Sequence, residues 1–242
     1  MITISIVSHG HGAMIERVVA QALGFATTSA VVLTLNIPEQ LTLPQSDRLV
    51  ILRNDAPEGF GANHNAAFRH CASDFFCVLN PDVVFGDDPF PGLMKTIDRT
   101  GAAVVAPLVV TSEGSIEDSI RRFPTIASLA AKFLGGSDGR YEIPADRSDM
   151  TPDWTAGMFM LFRSRDFAAV GGFDEAFFLY YEDVDICARL WKSGRKVSAC
   201  PSEQVVHDAQ RTSHGNWRFR RWHLQSLVRY LLRYALRHPR QA

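Results

Sequence analysis

The amino-acid sequence predicts an α/β fold with a mostly parallel central sheet flanked by helices. Short apolar segments rich in β-branched residues alternate with segments whose apolar residues recur at helical spacing. His9, Arg53 and Asp82 stand at or just after the ends of predicted strands. Because ligands of such sheets bind at the carboxyl ends of the strands, we expect the functional site at that edge.

The first half of the chain contains most of the predicted strands. Continuous or alternating apolar residues predict strands at residues 2–7, 30–35, 49–53, 75–79 and 102–110. Helical spacing predicts helices at residues 14–23, 60–71 and 89–100, and a glycine-rich turn precedes the second of these.

The second half of the chain is less regular. Residues 111–152 are rich in Gly, Ser, Asp and Arg, so we expect a long excursion with a short helix at 127–134 that orders over bound substrates. Strands are predicted at 154–162 and 196–199. Helices are predicted at 167–170, 183–192 and 217–238, the last of them amphipathic.

Composition indicates a folded protein whose charge is unevenly distributed. The 242 residues are 46% apolar and 21% charged, which excludes a disordered chain and a disulfide-stapled mini-protein. The net charge of −1 argues against a nucleic-acid binder. Residues 211–242, however, carry eight arginines and no acidic residue, leaving 17 basic and 26 acidic residues before them. We therefore predict a domain at 1–210 and a basic amphipathic helical tail at 211–242.

Cysteine spacing and hydropathy predict the compartment. The four cysteines form no CxxC pair, and most of them stand among apolar residues, as reduced core thiols do. The N-terminus lacks the features of a signal peptide, and no apolar run is long enough to span a bilayer. We expect a cytoplasmic protein. Its tail could also hold it at the inner face of the cell membrane as a peripheral protein.

The basic tail allows three interpretations. Apolar residues and arginines recur on different faces of the predicted helix, and a basic amphipathic helix can lie on an anionic membrane surface. The same helix can dock on the acidic body or form a contact in a homodimer. The sequence leaves these alternatives open.

Two acidic segments are candidates for chemistry. Asn80-Pro81-Asp82 follows a buried strand, where a carboxylate and the phosphates of a substrate can together hold Mg²⁺ or Mn²⁺, although the same residues also form ordinary turns. Glu182 and Asp183 follow an apolar run at the start of a predicted helix, where an ionised carboxylate can accept a proton from a hydroxyl. Asp185 is sufficiently explained by an i,i+4 pair with Arg189.

Six segments in order resemble the family-2 glycosyltransferases of GT-A fold, particularly their bacterial rhamnosyltransferase-like branch. Each segment is a weak signal alone, but their order and spacing over residues 1–210 are specific. The segments are Gly59-Phe60-Gly61-Ala62-Asn63-His64-Asn65, Leu79-Asn80-Pro81-Asp82, Arg121-Arg122-Phe123-Pro124, Trp154-Thr155-Ala156-Gly157, Gly171-Gly172-Phe173-Asp174-Glu175 with Glu182-Asp183-Val184-Asp185, and His207.

The resemblance implies an inverting, metal-dependent transfer of a sugar from a nucleotide-diphosphate donor to a hydroxyl of a cell-envelope glycan or lipid-linked acceptor. A deoxythymidine- or uridine-diphosphate donor is expected, and the branch suggests rhamnose. Asp183 would be the general base beside Glu182, and Asp82 and His207 would hold the divalent metal. Donor-binding positions would be Ser8, Asn36, Arg53, Gly59, Asn65, Asn80 and Asp82. Acceptor-binding positions would be Trp154, Gly157, Asp174 and Glu175.

Other functional classes fit the sequence less well. His9 and His11 after the first strand suggest a metal hydrolase, but the chain is short for the barrel that such enzymes use. Gly10 and Gly12 lack the third glycine of a dinucleotide-binding turn. The alternative that stays open is a non-catalytic glycosyltransferase-like subunit that binds a glycan or a partner protein.

Overall fold

Strands and helices alternate along the part of the chain that the computed structural model describes, which is residues 1–136, 138–207 and 217–234. The strands are β1 (Ile2–Ser8), β2 (Thr28–Leu35), β3 (Leu49–Arg53), β4 (Phe75–Leu79), β5 (Val83–Val84), β6 (Ala102–Val110), β7 (Ile120–Arg121), β8 (Trp154–Thr155), β9 (Phe159–Arg163) and β10 (Lys196–His207). The helices are α1 (Ala13–Gly24), α2 (Phe60–Phe68), α3 (Phe90–Thr100), α4 (Ile126–Phe133), α5 (Ser164–Ala169), α6 (Glu182–Lys192) and α7 (Trp217–Tyr234).

Eight strands form the main sheet, in the order β3-β2-β1-β4-β9-β6-β10-β5. The neighbouring pairs β3/β2, β2/β1, β1/β4 and β6/β10 are parallel, whereas β9 and β5 are antiparallel to their neighbours. The predicted α/β fold with a mostly parallel sheet is therefore confirmed. The ends of β1 to β4 lie at one edge, as the sequence predicted for the site.

The predicted strand at 154–162 is wrong in its continuity. Residues Trp154–Thr155 form β8, which pairs with β7 in a separate two-stranded sheet, and Phe159–Arg163 form β9 between β4 and β6. The three residues between these strands, 156–158, leave the ladder. The sequence pattern missed this break because residues 158–162 are all apolar and Gly157 alone marks the turn before them.

The last strand of the sheet is longer than predicted. Residues 196–199 are only the beginning of β10, which continues to His207 after a shift in register between Cys200 and Gln204. Pro201 and the polar residues after it hid the continuation from the sequence pattern. At its end β10 pairs antiparallel with β5, and this register sets His207 opposite Val83, beside Asp82.

Two apolar layers cover the faces of the sheet. Successive residues of β4 point to opposite sides, so that Phe75, Cys77 and Leu79 join the layer under α1 and α3. Phe76 and Val78 join the layer that contains residues of α2, α5, α6 and α7. A strand buried on both faces reads as a continuous apolar run, and this is why β4 was recognisable from the sequence.

Helix α7 packs on the body rather than extending from it. Tyr230 and Tyr234 are buried in the second apolar layer, and Ser226 Oγ donates a hydrogen bond to the Leu179 carbonyl at 2.9 Å. Its packing favours the interpretation that the tail docks on the body. The predicted domain boundary at 210/211 and the helix end predicted at 238 lie outside the described residues. Within those residues, no helix combines the length and the hydropathy that crossing a bilayer requires.

A buried carboxylate joins α7 to α6. Asp185 has no exposed surface, and its pair with Arg189 is present at 2.7 Å, as the sequence indicated. The same carboxylate also accepts hydrogen bonds from Arg233 at 2.7 Å and from the Tyr234 hydroxyl at 2.9 Å. The Arg233 guanidinium reaches Asp174 as well, at 2.6 Å. Asp185 therefore has a larger structural role than an i,i+4 pair.

Removing the charge of Asp185 should destabilise the protein strongly. We expect Asp185→Asn to lower the free energy of unfolding by about 3–5 kcal/mol, because two guanidinium groups lose their buried partner. Asp98→Asn is the matched control, since Asp98 pairs with Arg163 in an exposed position and should change stability by about 1 kcal/mol or less. Urea denaturation measures both, and equal effects of the two substitutions would contradict the buried junction.

Candidate active site

The ends of β1 and β2 hold a network of asparagine side chains. Asn36 Oδ1 accepts hydrogen bonds from Asn54 Nδ2 and from the Glu58 N–H, both at 2.8 Å. Asn54 Nδ2 also donates to Asn63 Oδ1 at 2.7 Å, and the Asn36 N–H donates to the Ser8 carbonyl at 2.8 Å. The structure thus brings the predicted donor residues Ser8 and Asn36 together. Asn54 and Asn63 were not assigned, although Asn54 directly follows Arg53 and Asn63 stands in the segment 59–65.

The turn after β1 is held close to the same network. His11 Nδ1 accepts a hydrogen bond from the His9 N–H at 2.9 Å, and His9 Nδ1 lies 3.2 Å from Asn36 Nδ2. Burial lowers the pKa of His11, although the charges of Asp82 and Glu39 oppose this shift. The two histidines thus follow β1 as part of a turn beside the sheet edge.

Asp82 and His207 form a pair at the same edge. His207 Nε2 lies 3.2 Å from Asp82 Oδ2, and His207 Nδ1 lies 3.9 Å from Glu117 Oε1. Burial lowers the pKa of His207, but the hydrogen bond and charge of Asp82 and the charge of Glu117 outweigh it, so the pKa lies above its usual value. Glu117 was missed by the sequence analysis because it stands in the irregular excursion, outside any motif.

One carboxylate oxygen of this pair is buried without a partner. Asp82 Oδ1 has no hydrogen bond among the described residues, and the same is true of His207 Nδ1. Among the described residues, no hydrogen bond joins the Asn80 side chain to Asp82 or His207. The Asn80 N–H donates to the Met158 carbonyl at 2.9 Å. Across the described ranges, no cluster of three or more His, Cys, Asp or Glu side chains is arranged to hold a metal ion.

The segment between β8 and β9 contacts both acidic motifs. The Met158 carbonyl accepts a hydrogen bond from the Asn80 N–H, and the neighbouring Gly157 N–H donates to Asp183 Oδ2 at 2.9 Å. A Cβ atom at Gly157 would stand 3.2 Å from the Phe60 ring, so a side chain there would crowd the start of α2. Two adjacent residues therefore fix the position of the Asn80-Pro81-Asp82 turn relative to the start of α6.

Asp183 and Glu182 differ in their surroundings although they are adjacent. Asp183 is half-buried and accepts N–H bonds from Gly157 and Val184, the latter at 2.8 Å. Glu182 is 5% exposed, and its Oε2 has no partner among the described residues. Burial and then the charge of Asp183 raise the pKa of Glu182 well above its usual value. Burial raises the pKa of Asp183 too, but the N–H groups of Gly157 and Val184 favour its carboxylate form and oppose the rise.

Strained backbone leads into α6. Tyr180 and Tyr181 have φ angles of 69° and 68°, in the left-handed region that bulky residues rarely adopt. The preceding loop is held by the Phe178 carbonyl, which accepts the Phe60 N–H at 2.9 Å, and a Cβ atom at Gly59 would stand 2.6 Å from that oxygen. Gly59 thus has a steric reason to be glycine, and its turn fixes where α6 begins.

A cavity of about 1330 Å³ opens in front of Asp183. Residues from four parts of the chain form its walls: the excursion around β7 and α4, β8, the start of α6, and α7. Among the predicted acceptor residues, Trp154 lines this cavity. The unassigned residues Arg121, Tyr181, His223 and Leu227 also line it, and no local sequence signal points to the two on α7.

Several predicted site residues lie elsewhere or are otherwise engaged. Asn65 holds the loop before α6, since its amide bonds the N–H and carbonyl of Phe173 at 2.9 Å and Glu175 at 3.0 Å. Asp174 pairs with Arg233 of α7, and neither Asp174 nor Glu175 lines the cavity. Arg53 is exposed at the end of β3. The ligand roles of these four residues stay predictions.

Comparison with known proteins identifies the family of the chain. The sequence profile described as "Glycosyl transferase family 2" matches residues 33–165, more than half of the chain. The chain belongs to glycosyl transferase family 2. A second profile, "N-terminal domain of galactosyltransferase", matches residues 149–214 of this glycosyltransferase, which include β8, β9 and α6.

Two relatives of the glycosyltransferase are rhamnosyltransferases by name. The chain is 35% identical over 190 residues to rhamnosyltransferase WbbL of Escherichia coli K12, covering 72% of this chain and 70% of that protein. It is 32% identical over 143 residues to the N-acetylglucosaminyl-diphospho-decaprenol L-rhamnosyltransferase of Mycobacterium tuberculosis H37Rv. That match covers 55% of this chain and 47% of the relative, so the chain spans about half of the mycobacterial protein.

Solved structures share the fold at low sequence identity. GalNAc-T7 with UDP, GalNAc and Mn²⁺ matches with a TM-score of 0.67 and 14% identity, over 89% of this chain and 44% of that one. The Pyrobaculum calidifontis mannosyltransferase PcManGT, in complex with GDP-Man and Mn²⁺, matches with a TM-score of 0.63 and 13% identity, over 96% and 64%. The predicted GT-A fold is therefore confirmed.

Burial of Glu182 should make the glycosyltransferase less stable as the pH rises. Folded Glu182 keeps a proton that the unfolded chain releases above a pKa of about 4.3, so raising the pH favours the unfolded chain until Glu182 ionises in the folded protein. We therefore expect the Tm of the wild type to fall relative to that of Glu182→Gln as the pH rises from about 5 to about 8. Thermal unfolding in a pH series measures this difference, and a constant difference would contradict the raised pKa.

Proposed function

We propose that this glycosyltransferase inverts the configuration of a sugar as it moves it from a nucleotide-diphosphate donor to an acceptor hydroxyl. The observation that carries the proposal is the segment Gly157–Met158, which bonds the Asn80-Pro81-Asp82 turn on one side and Asp183 on the other. This arrangement supports a single displacement, in which the diphosphate leaves toward Asp82 and the hydroxyl attacks from the side of Asp183.

Asp183 is the proposed general base, and Glu182 is its protonated neighbour. Two backbone N–H groups stabilise the carboxylate form of Asp183, whereas Glu182 Oε2 is buried without a partner, which favours the neutral acid. Both residues line the cavity in which an acceptor hydroxyl would lie, but Asp183 is half-buried there whereas Glu182 is buried. Asp183 takes the proton of that hydroxyl as the oxygen attacks the sugar.

The residues at the sheet edge fit a divalent metal, Mg²⁺ or Mn²⁺. Asp82 offers a buried carboxylate oxygen without a partner, and His207 offers an imidazole beside it. Two protein ligands suit a site that substrate phosphates complete. When bound, the metal would supply positive charge against the charge that develops on the leaving diphosphate.

The names of the relatives support a deoxysugar donor and an envelope acceptor. Both rhamnosyltransferase relatives favour rhamnose as the sugar, and the mycobacterial name favours an acceptor sugar on a lipid diphosphate. The deoxythymidine- or uridine-diphosphate carrier is proposed from the sequence resemblance. The cavity supports a glycan acceptor, because Trp154 and Tyr181 supply aromatic faces to its wall. The other candidate function, a non-catalytic subunit, predicts that no nucleotide binds.

Replacing Asp183 should remove the transfer but leave donor binding intact. We expect Asp183→Asn to lower kcat about 10²–10⁴-fold, since the amide cannot accept the proton. Glu182→Gln should lower it far less, because the neutral amide resembles the protonated acid. Transfer assays and calorimetry with the nucleotide diphosphate measure the two properties separately.

The asparagine variant also needs a folding control. Its amide nitrogen would face the N–H of Gly157 or Val184, at a cost of about 1 kcal/mol or more in stability. Loss of donor binding in a variant that still folds would assign Asp183 to the donor site instead. Equal losses of kcat in Asp183→Asn and Glu182→Gln would contradict the assignment of the base.

Donor binding should depend on a divalent metal and on Asp82. In a screen of nucleotide diphosphates by thermal shift, we expect the nucleotide of the natural donor to raise the Tm of the protein with Mn²⁺ and to raise it much less with EDTA. Asp82→Ala should remove most of the Mn²⁺-dependent part. Asp87→Ala is the matched control, because Asp87 is exposed in the following turn. Binding that ignores both Mn²⁺ and Asp82 would refute the metal site, and no binding of any nucleotide would favour the non-catalytic subunit.

A further inference from the structure

Most of the exposed large apolar side chains stand on or beside elements that line the cavity of Asp183. Ten such side chains are found among the described residues, and three of them, Met1, Ile51 and Ile116, belong to other parts of the fold. The other seven lie on or beside the elements that border the cavity: Ile126, Leu134, Phe178, Trp217, Leu224, Val228 and Leu232.

The helices α4 and α7 both line the cavity and expose apolar residues. Leu129 of α4 and Leu227 of α7 contribute to the cavity wall. On the same two helices, Ile126 is 62% exposed and Leu224 is 61% exposed. We use the name rim for the seven exposed residues, because they lie on or next to these two helices and in the loop before α6.

Helix α7 has an inner and an outer apolar face. Its inner face, with Tyr230 and Tyr234, is buried on the body. Its outer face presents Leu224, Val228 and Leu232 at intervals of four residues, each at least 46% exposed. A helix that has already buried one apolar face has no need of a second for folding, so the outer stripe indicates a surface that contacts something else.

The charge of α7 identifies the kind of surface that fits. The helix carries five arginines and no acidic residue. One of them, Arg233, is used by Asp185 and Asp174, whereas Arg220 and Arg221 are exposed beside the apolar stripe. Apolar side chains flanked by arginines match the interface of an anionic bilayer, where the apolar groups enter and the guanidinium groups meet the lipid phosphates.

We propose that the rim rests on an anionic lipid surface and that the cavity receives its acceptor from that surface. The inference deepens the proposed function, on which it rests, by naming the surface that presents the acceptor to Asp183. It also gives α7 two roles: the inner face fixes the cavity wall, and the outer face contacts lipid. A two-fold contact between two copies fits less well, since it would set arginines against arginines without acidic partners on the helix.

Co-sedimentation with vesicles tests the inference without donor or acceptor. We expect the full chain to pellet with vesicles of phosphatidylcholine containing about 30% phosphatidylglycerol, and to pellet less with phosphatidylcholine alone or at high salt. Arg220→Gln with Arg221→Gln should lower partitioning by about fivefold per arginine. Leu224→Gln with Leu232→Gln should lower it by about tenfold or more.

Matched controls come from exposed residues outside the rim. Ile51→Gln removes an exposed apolar side chain from β3, and Arg69→Gln removes an exposed arginine after α2, so both should leave partitioning unchanged. Equal pelleting of all variants, or no preference for anionic vesicles, would overturn the inference. A dimer in light scattering that the Leu224 and Leu232 substitutions dissociate would also overturn it, in favour of a protein contact.

Calorimetry on the same preparations separates this inference from the proposed function. A chain that binds a nucleotide diphosphate with Mn²⁺ but ignores anionic vesicles would contradict only the lipid contact. A chain that binds vesicles but no nucleotide would contradict the proposed function and leave the lipid contact standing.

Discussion

The first turn of α6 carries three carboxylates, and the position of the rest of the site depends on how that turn is buried. Asp185 is neutralised by guanidinium groups from α6 and α7, and Asp183 is stabilised by backbone N–H groups. Glu182 Oε2 has no partner among the described residues, and burial favours the protonated form of Glu182. Three acidic residues within four positions thus acquire different chemistry from their neighbours alone. The ion pair at Asp185 also sets where α7 lies, and α7 in turn closes one side of the cavity.

The sheet also connects the two halves of the site, the Asn80-Pro81-Asp82 turn and Asp183. Strand β9 runs antiparallel between β4 and β6, and the residues just before it therefore reach the edge where β4 ends. There Gly157 and Met158 bond Asp183 and Asn80 with consecutive backbone groups. The backbone at this strand end therefore sets the separation between the Asn80-Pro81-Asp82 turn and the Asp183 carboxylate.

Much of the fold could be predicted from the sequence because buried strands and amphipathic helices have strong periodic patterns. The run Phe75–Leu79 and the spacing within α3 are examples of such local signals. The break at Gly157 and the continuation of β10 to His207 could not be predicted, since both depend on which strands become neighbours. The same limit applies to the site: Asp82 and Asp183 stand in motifs, whereas Glu117 and His223 reach it only through tertiary packing.

The packing of α7 on the acidic body explains part of the uneven charge distribution of the chain. Arg233 of α7 meets the acidic excess directly, at Asp174 and Asp185. If docking on the body were the purpose of the whole basic segment, Arg220 and Arg221 would be expected to face carboxylates too, but they are exposed. A positive charge that is left outward beside Leu224 and Val228 opposes aggregation with other copies while favouring an anionic surface. One helix can therefore stabilise the fold through Arg233 and contact its surroundings through Arg220 and Arg221.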